Sequence, residues 1–409
     1  MLRLASSRLT FSTNSFTFSV IRRCISTEPL LQNSEDYRVL RIANLPPGTS
    51  VSALLDQIRV DGPIENIQYH QKSNSAILSL IDAQAARTFM ETASTIRVNG
   101  QTLSLEFASP QMQRKLPASL VASIGAYDAT RGIEMNLLPR ATEGWYRDQV
   151  KKLCGPTEIE RIVIDREKSK VSIYFAGIVE ALEAKQAFRE HGESFGNVFY
   201  TKDPCDLNDY AYSSEKYTVV IKGLALEDQE LPLKAIGDAT GGWLFTVPLL
   251  DLQKIKKLVL ISFANPADVQ QFLKVFNPQL EGLSVEVQDR QENAQSYKIR
   301  LATRLGATRR LLISGPSDKT ERFIKRRVIW ERVSSRHIQK TGENSVALLV
   351  FKQIGNCLRD FHNMNYSSHF TDTYRDLTVT FGVEPQPHLN FKEQSELLLP
   401  YNGPLLATS

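Results

Sequence analysis

Long apolar runs are missing from this chain of 409 residues. A helix that crosses a bilayer needs about 20 predominantly apolar residues, whereas a stretch such as 258–263 has only the length of a β-strand. Because 42% of the residues are hydrophobic and 23% are charged, the chain is too apolar to be disordered. At this length it needs several hydrophobic cores. We therefore expect a soluble protein of several domains without a membrane span.

Cysteine and histidine are scarce, and their placement excludes the common metal and disulfide frameworks. The sequence has four cysteines and six histidines. Cys154, Cys205 and Cys357 lie far apart, and none has a Cys or His companion at the spacing of zinc ligands. The stretch 237–242 lacks the residues that complete a phosphate-binding loop, and no nucleophile elbow or metalloprotease motif occurs. The sequence predicts no enzyme, metal site, cofactor or small-molecule substrate.

Acidic residues are absent from the start of the chain, where Glu28 is the first one. Residues 1–25 carry four arginines among Ser, Thr and Phe residues, and the stretch 23–26 resembles a matrix-protease cleavage site. This composition is typical of a mitochondrial presequence. The alternative is a disordered basic N terminus, since a secretory signal would place an apolar core before the arginines. We expect 1–25 to be a transit peptide for the mitochondrial matrix.

One pattern occurs four times along the chain. In each copy an apolar strand is followed 33 to 37 residues later by a second apolar strand. The first copy shows helical and strand periodicity in the order βαββαβ. We name the copies units one to four, and predict them at 36–111, 129–203, 215–289 and 307–383. Met112 to Ala129 is predicted as a linker, and 384–409 as a C-terminal tail.

Two strands in each unit resemble the signature strands of the RNA-recognition motif. The hexamers read LRIANL, IEMNLL, VVIKGL and LLISGP, and the octamers read SNSAILSL, KSKVSIYF, KKLVLISF and NSVALLVF. Octamer positions 4, 6 and 8 hold twelve apolar residues, which alternation turns to one side of the sheet. The resemblance covers nearly all of 36–383, and it implies an α+β protein of four tandem ferredoxin-like βαββαβ domains.

Aromatic residues are missing from the positions at which this family stacks RNA bases, which are hexamer position 2 and octamer positions 3 and 5. Those positions hold Arg41, Ser75 and Ile77, then Glu134, Lys170 and Ser172, then Val220, Leu258 and Leu260, and then Leu312, Val346 and Leu348. Each stacked base is worth about 1–3 kcal/mol, so the standard surface should bind weakly. Arg41, Tyr69, Lys170 and Tyr174 remain as candidate RNA contacts in units one and two, although strand tyrosines are also common for packing reasons alone.

Units three and four place apolar residues on the sheet face that the family leaves open. An uncovered face of this kind would promote aggregation. We expect another domain, an added helix, the C-terminal segment or a partner protein to cover it, although a register error of one residue would reverse the assignment. The candidate protein-interaction residues are Val220, Leu258, Leu260, Leu312, Val346 and Leu348.

Positive charge is concentrated in unit four, although residues 26–409 carry equal numbers of basic and acidic side chains. Residues 297–352 contain fourteen basic and four acidic residues. Phosphate contacts supply most non-specific nucleic-acid affinity, so this region favours an RNA-contacting surface. The alternative is a solvated helix face with a core Trp. The candidate RNA-binding residues are Arg309, Arg310, Arg322, Lys325, Arg326, Arg327, Trp330, Arg332 and Arg336.

Two functions are consistent with the sequence. The first is an RNA-binding protein of the mitochondrial matrix that acts in processing, stability or translation of organelle transcripts, with several weak surfaces added through tethering. Its partners would be mitochondrial RNA and RNA-processing proteins. The second is a protein-interaction scaffold built from degenerate recognition-motif folds, for example in a mitochondrial ribosome or a translational-activator complex.

Overall fold

The structure is a computed structural model. It describes residues 31, 33–92, 96–190, 195–207, 217–225, 228, 230–240, 247–253, 256–276, 282–288, 294–327, 332–366, 374, 376–382 and 406–407. Residues 1–25, which the sequence predicts to be a presequence, lie outside the described residues, as do Trp330 and nearly all of the tail 384–409. Within the described ranges, no helix combines the length and the hydrophobicity needed to cross a membrane.

Units one and two each contain the predicted βαββαβ order. Unit one consists of β1 (Val39–Ala43), α1 (Val51–Leu55), β2 (Ile64–His70), β3 (Ser75–Leu80), α2 (Ala83–Thr92), a hairpin of β4 (Arg97–Val98) and β5 (Gln101–Thr102), and β6 (Ser104–Phe107). Between the units lie β7 (Leu116–Pro117) and α3 (Ala118–Tyr127). Unit two consists of β8 (Gly132–Asn136), α4 (Glu143–Cys154), β9 (Ile159–Asp165), β10 (Lys170–Phe175), α5 (Ile178–Glu190) and β11 (Phe199–Thr201).

Units three and four repeat this order. Unit three consists of β12 (Thr218–Lys222), α6 (Glu230–Thr240), β13 (Leu249–Gln253), β14 (Leu258–Ser262), α7 (Pro266–Val275) and β15 (Ser284–Gln288). The helix α8 (Ala294–Arg304) leads into unit four. Unit four consists of β16 (Arg310–Pro316), α9 (Ser317–Arg327), β17 (Val333–Thr341), β18 (Asn344–Phe351), α10 (Ile354–Tyr366) and β19 (Thr378–Phe381), and β20 (Leu406–Ala407) follows.

One strand order is shared by the four-stranded sheets of all four units. In each sheet the four strands of the βαββαβ order lie in the order second, third, first, fourth, and every neighbouring pair is antiparallel. In unit one the fourth of these strands is β6, because β4 and β5 form a separate hairpin. Two helices per unit connect these strands, as the ferredoxin-like topology requires. The fold class predicted from the sequence is confirmed, because the chain is an α+β protein of tandem RRM-type units.

The alternation of the octamers is also confirmed. The residues at positions 4, 6 and 8 should face the helices because side chains alternate along a strand. Each of them is at most 2% exposed. They are Ala76, Leu78, Leu80, Val171, Ile173, Phe175, Val259, Ile261, Phe263, Ala347, Leu349 and Phe351.

Hexamer position 5 has a positive φ in three of the units. The angles are 61° at Asn44, 86° at Gly223 and 156° at Gly315. Asn and Gly adopt such conformations at lower cost than other residues. At Gly223 a Cβ atom would lie 2.2 Å from the carbonyl oxygen of Gly282, so this position needs glycine for space as well. The backbone conformation therefore explains why position 5 is Asn or Gly in these three units.

A buried arginine recurs two residues before the hexamer, a repeat that our sequence analysis missed. In units one, two and four its guanidinium donates to the carbonyl oxygen of the last octamer residue. The pairs are Arg38–Leu80 at 3.0 Å, Arg131–Phe175 at 3.1 Å and Arg309–Phe351 at 2.9 Å. Each arginine ties the start of the first strand to the end of the third.

The segment from Met112 to Ala129 is not the linker that the sequence suggested. It contains α3, in which eight of ten residues are buried. This helix packs against α8 and α10, and a 2.5 Å ion pair joins Lys298 of α8 to Asp128 at its C-terminal end. The run of small and apolar residues in α3 therefore forms part of the largest hydrophobic core, which extends through units three and four.

The units dock in pairs, and the same mode is used twice. The second strand of the first unit in each pair binds the loop after the third strand of the other unit. In the first pair, the Ile67 amide donates to the Ala176 carbonyl at 2.9 Å. In the second pair, the Leu250 amide donates to the Lys352 carbonyl at 3.2 Å. Ala176 and Lys352 each directly follow the last octamer residue, so the two pairs are structurally equivalent at this contact.

Candidate RNA interface

The open face of the unit two sheet carries exposed apolar side chains. Phe199 of β11 is 54% exposed and Val163 of β9 is 45% exposed. The strand register places both in one row with Glu134 of β8 and Ser172 of β10. An exposed aromatic ring on this face is the type of group on which single-stranded RNA stacks. Phe199 was not among the predicted contacts, because residues 198–200 are all apolar and show no alternation.

Tyr174 lies on the same face, as predicted. Its ring packs over Gly132, where an added Cβ would lie 2.8 Å from the ring carbons. The guanidinium carbon of Arg161 lies 5.9 Å from the ring centroid, and burial raises the pKa of the Tyr174 hydroxyl above its usual range. Gly132 therefore makes room for an aromatic side chain that is half-buried within the sheet face. Tyr174 therefore packs against the sheet and stays partly exposed.

The two predicted cations on the sheet faces are both ion-paired. Lys170 pairs with Glu134 at 3.1 Å in unit two, and Arg41 pairs with Glu106 at 2.8 Å in unit one. Such partly exposed pairs contribute only about 0–1 kcal/mol. A phosphate can therefore compete with either carboxylate at little energetic cost.

The prediction that Tyr69 contacts RNA is wrong, because its side chain points to the opposite face. Its cross-strand partner is Ala76, which faces the helices, and Tyr69 packs against the core of unit one. The register between β2 and β3 shifts between Ile64 and Asn66. A bulge of this kind adds one residue to a strand and inverts the side-chain direction beyond it. Alternation counted from the buried Ile64 would place Tyr69 on the open face, and the bulge reverses that direction.

Arg309 and Arg310 are also corrected, because both are buried. Arg309 is 1% exposed and donates to the carbonyl oxygens of Val247 and Phe351, each at 2.9 Å. Burial lowers the pKa of Arg309 to about 10. Arg310 has no exposed surface at all. A count of charges along the sequence does not distinguish a solvated arginine from one that binds backbone carbonyls inside the fold.

Other cations of the basic region also have intramolecular partners. Four form ion pairs and Arg300 lies over the ring of Tyr217 at 3.7 Å. The ion pairs are Lys298–Asp128, Arg304–Asp82, Lys319–Asp376 and Lys340–Glu321. With the buried Arg309 and Arg310, seven of the fourteen basic residues in 297–352 are therefore either buried or held by a partner within the chain. The charge excess available to a ligand is smaller than the sequence indicated.

The remaining basic surface lies on the helix side of unit four. Arg322 and Lys325 are exposed on α9, and Arg336 is exposed on the edge strand β17. Arg336 is paired with Leu349, which faces the helices, so the cation does not project from the open sheet face. Arg332 is half-buried. The side chains of Arg326 and Arg327, like Trp330, lie outside the described part of the chain.

The apolar faces of units three and four are largely covered, as expected. Val220 is 2% exposed, Leu312 is 5% exposed and Leu348 has no exposed surface. These three are therefore unavailable to a partner protein, which corrects their assignment as interaction residues. Leu258, Leu260 and Val346 are half-buried. The docking surface that the scaffold hypothesis requires is reduced accordingly.

The described part of the C-terminal tail pairs with the segment before α3. Leu406–Ala407 forms a two-residue parallel pairing with Leu116–Pro117, at the start of α3. The contact therefore joins the tail to the segment between units one and two. It does not place these residues over the sheets of units three and four.

Metal and thiol chemistry has no visible basis in the parts of the chain that the structure describes. They contain no group of three or more His, Cys, Asp or Glu residues placed to hold a metal ion. Cys154, Cys205 and Cys357 are free thiols. Burial raises the pKa of each, to about 12 for Cys154 and Cys205. Thiols in this state are poor nucleophiles at neutral pH.

Comparisons with known proteins give a partial match. No protein-family model matches the chain. The RNA-binding protein MRN1 of Saccharomyces cerevisiae is 27% identical over 187 residues, which are 44% of this chain and 30% of that protein. The chain therefore spans less than a third of that relative's length in the matched region.

Solved structures with the same class of domain match at lower identity. The three N-terminal RNA binding domains of the yeast splicing factor Prp24 are 14% identical, with 62% of this chain and 99% of that chain covered and a TM-score of 0.20. The Sex-lethal RNA recognition domains 1 and 2 from Drosophila melanogaster are 18% identical, with 40% and 99% covered and a TM-score of 0.16.

The likeness to RNA-recognition-motif proteins is carried by the chain's own architecture. The βαββαβ order, the shared strand order and the buried octamer positions are features of one domain type. The chain thus has the architecture of tandem RNA-recognition-motif proteins, but none of its units carries an aromatic residue at the base-stacking positions of the signature strands.

Proposed function

We propose that this chain binds single-stranded RNA in the mitochondrial matrix and acts in processing, stability or translation of organelle transcripts. The observation that carries the RNA proposal is the open face of unit two, where Phe199 is exposed next to Glu134, the ion-pair partner of Lys170. Arg322 and Lys325 on α9 add a second, electrostatic contact. The name of the yeast relative, an RNA-binding protein, supports the same reading. Matrix RNA-processing or ribosomal proteins are proposed as partners.

Two variants separate the stacking contact from the electrostatic one. Phe199→Ala should weaken RNA binding about 5- to 150-fold, the equivalent of about 1–3 kcal/mol for one stacked base. The slope of the logarithm of the binding constant against the logarithm of the salt concentration should stay unchanged. The double variant Arg322→Gln with Lys325→Gln should lower that slope by about 1.4, since each phosphate contact on a single strand contributes about 0.7. Gel-shift titrations at several salt concentrations measure both quantities.

The matched control is Arg147→Gln with Lys151→Gln, which removes two cations from the surface of α4 in unit two. It lowers the total charge by the same amount but changes no proposed RNA contact. The salt slope of this control should therefore equal that of the parent protein within error. An absence of binding by the parent protein at low salt would refute the RNA proposal. Equal decreases of the salt slope in the control and in the α9 variant would show that α9 is not a contact surface.

The proposed location rests on the composition of residues 1–25. Fusion of this segment to a fluorescent reporter should direct the reporter to mitochondria, because a basic segment without acids is drawn across a polarised inner membrane. Replacement of its four arginines by Gln should leave the reporter in the cytosol. Microscopy with a matrix marker measures the outcome, and a cytosolic parent fusion would contradict the proposal.

A further inference from the structure

A cavity lies between unit two and unit four, away from the open sheet faces. Its volume is about 340 Å³, within the range of about 300–1,000 Å³ that small-ligand sites occupy. The helices α3, α5 and α10 and the strand β11 form its walls. Its lining combines aromatic rings with cations, a chemistry that our sequence analysis did not anticipate because the residues come from distant segments.

Three aromatic rings form a ladder along one wall. The ring centroids of Tyr127 and His362 are 4.4 Å apart, and those of His362 and Tyr366 are 4.9 Å apart. The Tyr127 hydroxyl donates to Asn363 Oδ1 at 2.7 Å, which fixes the first ring. The rings are tilted by 50° and 34° from one another, so they present a series of aromatic faces and edges against which a nucleobase can pack.

The central ring of the ladder has a defined protonation state. The Ser123 hydroxyl donates to the Ser119 carbonyl at 2.8 Å, so at 2.7 Å it must accept from Nδ1 of His362. Burial, together with Lys185 and Arg189, lowers the pKa of His362 to about 3. The ring is therefore neutral, and its Nε2 atom is a hydrogen-bond acceptor.

Two cations line the opposite wall. Lys185 and Arg189 are four residues apart on α5, so they share one face of the helix. Lys185 Nζ lies 3.6 Å from the ring centroid of Tyr200. Among the described residues, neither cation forms an ion pair. The lining contains one acid, Glu190, whose Oε1 accepts a hydrogen bond from Gln186 at 2.9 Å.

The positive charge of this wall is not balanced within the cavity. Burial and the neighbouring Arg189 lower the pKa of Lys185 to about 8, so each cation disfavours the other. A bound anion would relieve that repulsion. Lys and Arg both bind phosphate through charge-assisted hydrogen bonds.

We propose that the cavity binds a single nucleoside monophosphate unit, with its phosphate between Lys185 and Arg189 and its base on the ladder of Tyr127, His362 and Tyr366. The unit has two available sources, a free nucleotide and the phosphorylated end of an RNA. The site is independent of the sheet-face contact proposed above. It can therefore be tested even if the chain binds no internal RNA segment.

Calorimetric titration of the full chain with AMP and UMP tests the proposal. Both nucleotides should bind roughly tenfold or more tightly than adenosine, uridine or inorganic phosphate, because stacking and charge act together. Lys185→Met with Arg189→Gln should reduce nucleotide affinity by roughly tenfold or more. Tyr366→Ala should reduce nucleotide affinity by a similar factor and leave inorganic phosphate binding unchanged.

The control variant is Arg147→Gln with Lys151→Gln, a pair at the same helical spacing on α4, and it should bind nucleotides like the parent protein. Short RNAs with a 5′-phosphate or a 5′-hydroxyl identify the source. Competition by the phosphorylated RNA alone assigns the site to RNA ends, and competition by neither assigns it to free nucleotides. Absence of nucleotide binding at millimolar concentrations, or binding that the cavity variants leave unchanged, overturns the proposal.

Discussion

Arg131→Met is expected to lower the free energy of unfolding of unit two by about 3–5 kcal/mol, the usual result of removing one partner from a buried ion pair. Arg131 is 1% exposed. Its Nε and Nη2 atoms lie 2.7 and 2.9 Å from the two carboxylate oxygens of Asp203, and Nη1 lies 2.9 Å from Glu160. Met has a similar length and no charge, so the variant leaves the buried carboxylate of Asp203 without its cation and leaves Glu160 with Arg161 alone.

The same network attaches unit two to unit one. Asp203 Oδ1 accepts a hydrogen bond from the amide of Cys205, whose carbonyl accepts from the amide of Val60 at 2.9 Å. Glu160 also pairs with Arg161, which reaches Asp56 of unit one at 3.0 Å. We therefore expect Arg131→Met to loosen the contact between the two units as well as to destabilise the sheet.

Urea titration measures this loss. The fluorescence of Trp145, which lies within α4 of unit two, follows that unit alone when Trp243 and Trp330 are replaced by Phe. The control is Arg147→Met, because its pair with Glu143 is 42% and 53% exposed and should contribute about 0.3–0.5 kcal/mol. Adding Asp203→Asn should restore part of the stability lost in Arg131→Met. Equal unfolding midpoints for the parent protein and Arg131→Met would show that the network does not stabilise unit two.

Gly125→Val is expected to cost about 1–3 kcal/mol or more, through overpacking at the crossing of three helices. A Cβ atom at Gly125 would lie 2.9 Å from Cβ of Ala302 in α8 and 2.6 Å from Cδ1 of Leu358 in α10. The leucine can change its rotamer, whereas the Cβ of Ala302 moves only with the backbone of its helix. The substitution should therefore separate α3 from α8.

Gly237→Val in α6 is the matched control. It also replaces a helical glycine, but a Cβ there would meet no atom within 4 Å. Because valine has a slightly better helix propensity than glycine, the control should change stability by less than about 0.5 kcal/mol. Thermal unfolding compares the two variants. A loss of stability at Gly237 equal to that at Gly125 would show that overpacking at the three-helix crossing is not the cause.

Features that depend on local periodicity could be predicted from the sequence. The twelve octamer residues face the core because alternation is a property of the strand itself. The strand order follows from the same repeat, since βαββαβ with short connections has few ways to close. The covering of the apolar faces at Leu312 and Leu348 was also foreseeable, because exposed leucines in a sheet would be costly.

Features that depend on a register shift or on distant contacts could not be predicted. The bulge after Ile64 reverses Tyr69 and has no signal in the residue types. Arg309 binds a carbonyl of Val247 in unit three, a contact that a charge count does not reveal. The apolar residues of α3 were visible in the sequence, but their partners in α8 and α10 are more than 160 positions away. The cavity beside α5 was missed for the same reason.

Ultraviolet crosslinking of the protein to RNA within mitochondria, followed by mass spectrometry of the crosslinked peptides, tests the central claim most directly. We predict crosslinks on the peptide that contains Phe199 and on the α9 peptide that contains Arg322 and Lys325. Tyr69 faces the core, so its peptide should carry none. Absence of crosslinked RNA, or crosslinks confined to the peptides of Tyr69 and Arg310, would contradict the interface described above.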